Sequence, residues 1–124
     1  MNNLLIESTK KTPDVAFNID GRMRISGRSI PEDASKFYDD LFEWVYYYCQ
    51  NPPESTTMDI ELEYFNSGSS KAILEILRAL VDTAKKGKQI SINWYYEEGD
   101  DDILERGEYY ESILDVKFNF IETE

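Results

Sequence analysis

The feature that most constrains this chain is a change of hydrophobic period that recurs three times. Apolar residues fall at helical spacing over Phe37, Leu41, Trp44, Val45 and Tyr48. They then alternate singly over Met58, Ile60, Leu62 and Tyr64, closing with Phe65. The exchange repeats, with Ile73, Leu74, Leu77, Leu80, Val81 and Ala84 on a helix and Ile90, Ile92, Trp94 and Tyr96 on a strand. A third helix over Ile103, Leu104, Tyr110, Ile113 and Leu114, with Gly107 near its inward side where the backbone is expected to approach a neighbour, precedes a short last strand with Val116, Phe118 and Phe120. A spacing of 3.6 buries one side of a helix, and a spacing of two buries one face of a strand. Strands separated by helices return parallel to one another, because the crossover helix carries the chain back along the sheet.

The start of the chain differs. Val15, Phe17 and Ile19, then Met23 and Ile25, alternate on either side of Asp20-Gly21, which predicts a hairpin closed by a type I′ turn. Gly27 to Pro31 is a connector, with Pro31 suited to the first turn of the first helix. Asn51-Pro52-Pro53 ends that helix near Cys49, and Lys85-Lys86-Gly87 ends the second. The expected order is β-β-α-β-α-β-α-β, an α/β (α+β) fold with a mixed sheet. No repeat or long linker divides it, so residues 1–124 read as one domain, with 1–11 a flexible N-terminal segment or an edge.

Composition narrows the chemistry. The chain has no histidine and one cysteine, Cys49. That removes the usual general base, the Ser–His and Cys–His pairs, and thiolate zinc sites. The expectation is a non-enzymatic protein without a cofactor or metal. A lone cysteine suits a reducing cytoplasm, and neither a secretory leader nor a long apolar span is visible. The net charge is −12, and residues 97–124 carry eleven acids against Arg106 and Lys117. Such a field disfavours nucleic acid and anionic membranes and would steer a basic protein surface. It equally serves as a solvated face.

Three segments could carry function. Asn66-Ser67-Gly68-Ser69-Ser70-Lys71 joins a strand's C-terminal end to a helix start, the edge where open α/β sheets meet ligands. It reads as a turn leading into a helix from Ser70, where backbone N–H groups and the dipole could seat a phosphate. Serine and glycine are also ordinary capping and turn residues, so position alone leaves both roles open. Glu97 to Asp102 fails the alternate-ligand pattern of an EF-hand, since counting from Asp100 puts Leu104 at the fifth position, and serves as an acidic helix start. Tyr46, Tyr47 and Tyr95 lie off the core faces. Tyr95 with Arg28, Glu97, Glu98 and Asp100 makes a candidate interaction patch.

Several blocks together resemble one family: Thr12-Pro13, Gly27 to Glu32, Tyr64-Phe65-Asn66-Ser67 through Ser70-Lys71, Trp94-Tyr95-Tyr96 and Gly107-Glu108. In order and spacing they resemble the SiaC-type regulatory phosphoproteins, from Thr12 to the last strand. The resemblance implies a fold like that of STAS-domain anti-sigma-factor antagonists, and a role in partner switching. It implies a GHKL-type serine/threonine kinase, a PP2C-type phosphatase, and an output partner such as a diguanylate cyclase, bound by the unphosphorylated form to regulate biofilm formation. The family's acceptor, usually threonine, matches Ser67. Ser67-Gly68-Ser69 replaces the commoner Thr-Ser-Ser run, which loosens the turn and makes Ser69 and Ser70 rivals. An unswitched scaffolding subunit and a small carboxylate- and magnesium-dependent enzyme are the competing classes.

Overall fold

The computed structural model describes all residues from Met1 to Glu124. Three short antiparallel strands open the chain: β1 (Leu4–Ile6), β2 (Asp14–Phe17) and β3 (Arg22–Ser29). Strand and helix then take turns through α1 (Ala34–Tyr48), β4 (Ser55–Phe65), α2 (Ser67–Ala84), β5 (Gln89–Glu97), α3 (Asp101–Leu114) and β6 (Phe118–Thr123). The six strands lie in chain order, and β3 to β6 are parallel. Crossovers of the usual right hand, all stepping the same way, place every helix over one face.

Register shows which face. Phe17, Met23, Met58, Ile92 and Phe118 form one buried row across five strands. Val15, Ile25, Ile60 and Trp94 form the next. Each such side chain contributes about 1.5–3 kcal/mol when fully buried. The opposite rows, such as Ala16, Arg24, Asp59, Asn93 and Asn119, carry no helix and are bridged by polar contacts. Arg24 pairs with Glu61 and, at 3.7 Å, with Asp59; Asn93 donates to Asp59 at 2.8 Å.

Five local expectations need correction. The β2–β3 turn is not type I′. Only Gly21 takes a positive φ (105°), and Asp20 instead accepts the N–H of Arg22, an Asx turn that leaves Ile19 half exposed outside the strand. Pro31 precedes α1, which Asp33 caps by accepting the N–H of Lys36. On α1 it is Tyr38 that is fully buried, while Phe37 packs at the margin. In β4, Gly27 pairs with Leu62 but Arg28 with Tyr64, so Glu63 is a bulge. One extra residue inverts the alternation, and Tyr64 is 58% exposed. On α2 the buried stripe includes Ile76, with Leu74 at its edge.

Gly107, expected where a backbone nears a neighbour, lies against Trp94. A Cβ there would come within 2.6 Å of the indole. The edge strand β1 is an addition; three residues are too few to reveal a period.

Candidate functional site

The segment after β4 is a sixth correction: it is a helix start rather than a turn. Asn66 is the N-cap of α2, and its side chain accepts the N–H of Ser69 at 3.0 Å. The same amide donates to the Pro31 carbonyl at 3.2 Å, and the Asn66 N–H donates to the Ser29 carbonyl at 3.0 Å. Asn66 therefore ties α2 to the end of β3. The first N–H groups of a helix have no intrahelical partner, and those of Ser67 and Gly68 remain for solvent or a ligand. Gly68 is not a loosening residue here. A Cβ at this position would lie 3.0 Å from that of Ala34, so the small residue lets α2 start against the first turn of α1.

Helical geometry sorts the three hydroxyls. Ser67 is exposed. Ser69 is fully buried, and its oxygen accepts from Ser29 Oγ at 2.8 Å. Ser29 in turn bonds the Tyr38 hydroxyl at 2.7 Å. Ser70 is half-buried and bonds the Tyr110 hydroxyl, which also donates to the Ser70 carbonyl at 2.7 Å. The first turn of α2 is thus pinned on one side by α1 and on the other by α3. Burial raises the pKa of both phenols above the ordinary value; hydrogen bonds from Ser29 and Ser69 oppose this at Tyr38, and that from Ser70 at Tyr110. Both are neutral donors and acceptors at physiological pH.

A groove of about 1070 Å³ runs from Ser67 between α2 and α3. Its apolar side includes Tyr64, Leu74 and Tyr109, and its cations are Lys71 and Arg106. The expected patch is only partly assembled. Tyr95, Glu97 and Asp100 line one cleft on the helix-free face, where Arg24 sits 5.7 Å above the Tyr95 ring. Arg28 is engaged with Glu63 at 3.1 Å beside it, and Glu98 is exposed but not part of that lining. Asp100 also borders the Ser67 groove while capping α3 through the N–H of Ile103 at 3.1 Å. Sequence reasoning missed Ser29, Tyr38, Tyr110 and Arg106 as parts of the site. The helical period marked Tyr110 as inward, but nothing local shows what its hydroxyl meets.

The sequence model of the SiaC family regulatory phosphoproteins matches residues 6–123. The chain belongs to this family. An uncharacterized protein of Pseudomonas aeruginosa strain UCBPP-PA14 is 27% identical over 121 residues, covering 97% of this chain and 94% of that one. The crystal structure of apo-SiaC from Pseudomonas aeruginosa superposes with a TM-score of 0.85 at 26% identity, over 100% of both chains. SiaC in the crystal structure of the diguanylate cyclase SiaD with its activator SiaC, from the same organism, gives 0.86 at 25% identity, covering 97% of this chain and 99% of that one. The family resemblance and the mixed α/β fold drawn from the sequence agree with these matches. So does the expectation of a regulatory protein rather than an enzyme, since the family is one of regulatory phosphoproteins. No helix is long and apolar enough to cross a membrane.

Proposed function

We propose that this protein is a cytoplasmic partner-switching module whose switch is Ser67. A GHKL-type serine/threonine kinase phosphorylates it, a PP2C-type phosphatase reverses this, and the unphosphorylated form binds an output protein of the diguanylate cyclase class, with biofilm formation as the regulated process. One observation carries the choice of residue: of the three hydroxyls in this turn, Ser67 alone is exposed, and it is the one that the resemblance matches to the family's acceptor. The activation of SiaD by SiaC supports a cyclase as the output partner.

A phosphoserine adds roughly −1.5 to −2 charges. At a helix N-terminus this is favourable by about 0.3–1 kcal/mol, and Lys71, four residues on, adds at most about 1 kcal/mol as an exposed pair. The fold therefore tolerates the phosphate. A partner seated over Ser67 does not, because burying an unpaired phosphate costs several kcal/mol, and every ~1.4 kcal/mol is tenfold in affinity. Incubation with the kinase and ATP, followed by peptide mass spectrometry, should place the phosphate on Ser67. Ser67→Ala should stay bound to the cyclase under those conditions while the wild type is released. Modification at Ser70, or release of Ser67→Ala, would overturn the assignment. A chain that takes no phosphate would be an unswitched scaffold.

A further inference from the structure

A second cleft, of about 750 Å³, lies at the opposite end of the molecule. It is bounded by the second half of α1, the first residues of the chain and the β2–β3 turn, and the eleven-residue β4 separates that end of the sheet from Ser67. Asp40, Glu43, Trp44 and Tyr47 line it from one side of α1, at spacings of three, four and seven residues. Tyr47 is 58% exposed, and Ile19, across the cleft, is 50% exposed. Neither lysine nor arginine lines the cleft; Met1, whose α-amino group is a single cation, borders it but pairs with neither Asp40 nor Glu43, which take part in none of the protein's ion pairs.

We propose that this cleft docks a basic segment of a partner protein, with an arginine or lysine side chain laid across Tyr47 and its charge between Asp40 and Glu43. Charge complementarity decides the occupant. A neutral apolar segment would strip water from two carboxylates and return nothing for it. A cationic side chain pairs with them, its head gains from the aromatic face, and its aliphatic stem covers Ile19. The Ser67 groove differs in holding two cationic side chains, Lys71 and Arg106, among its carboxylates. This proposal is independent of the phosphorylation switch, and it gives the protein two docking surfaces at opposite ends of the sheet.

The two tryptophans supply the assay. Trp44 lines the cleft and donates its indole N–H to the Asn2 carbonyl, while Trp94 is fully buried and donates to the Ile103 carbonyl. Titrating the full chain with a short arginine- and lysine-rich peptide should move the Trp44 indole resonance and leave that of Trp94 in place. A glutamate-rich peptide of equal length should move neither. Asp40→Asn with Glu43→Gln should weaken binding about three- to tenfold, as expected for two exposed pairs. Glu75→Gln with Asp82→Asn removes the same charge from the exposed side of α2 and should change little. Ser67→Asp should change little as well. Equal weakening by the α2 pair would mean diffuse attraction to an acidic protein and would overturn the proposal. So would a still Trp44 resonance, or one that moves with protein concentration alone, since the cleft would then hold a second copy of the chain.

Discussion

The starts of α2 and α3 stand side by side along one edge of the sheet, yet they treat the helix dipole in opposite ways. At α3, Asp100 caps the helix and Asp101 and Asp102 follow in its first turn, so negative charge is built in. At α2 the cap is the neutral Asn66 and the first turn holds no acid. Both starts are anchored, but only α2 has been left without the charge its dipole favours. A phosphate on Ser67 would give α2 what α3 already carries. An edge can hold one electrostatic state permanently and keep a neighbouring one open to modification.

The strongest way to break this contrast is through the buried side of the same turn. Ser69→Asp places a carboxylate in the closed slot beside Ser29 and Tyr38 and should cost about 3 kcal/mol or more in a denaturant melt. A Ser69→Asp protein that melts like the wild type would mean that Ser67 and Ser69 are equivalent. Alkaline titration comes next. Tyr38 and Tyr110 have raised pKa values in the fold, so the unfolded chain releases these protons first as pH climbs past 10. Their share of stability is fully present below that pH and is lost above it. Tyr38→Phe and Tyr110→Phe should therefore flatten the fall measured by circular dichroism, whereas Asp100→Ala should not.

Third, Asn66→Ala and Asp100→Ala each remove a cap and should cost about 0.5–2 kcal/mol. Asn66→Ala should cost more, because its amide also holds the Pro31 carbonyl. Equal losses would show that this tie adds nothing. The smallest effect is Ser67→Asp, expected within about 0.5 kcal/mol of the wild type and on the stabilising side. A clear drop in its melting temperature would point to switching by local unfolding.

Much of the molecule was legible before its structure. The three exchanges of hydrophobic period located three helices and their parallel strands. The place of Gly107 near the inward side of α3 points to a close approach, and its packing against Trp94 agrees. What escaped has a common cause. Each strand or helix has two sides, and local signals fix its period better than its phase. The bulge at Glu63 reversed the phase of β4 and turned Tyr64 outward. Capping by Asn66 began α2 at Ser67, and that start decides which serine faces inward.

The sequence by itself determined the order of elements from β2 onward, the absence of histidine chemistry and the acidic character, because these depend on local pattern and composition. Only the tertiary structure decided that Ser69 is sealed by Ser29 and that Ser70 is held by Tyr110, pairs that are each 40 residues apart in the chain. It also decided that all three helices share one face, leaving Arg24, Asp59 and Asn93 on the other. Hydrogen bonds between distant residues and the facing of a sheet arise from packing elements together, and no window of sequence contains both partners.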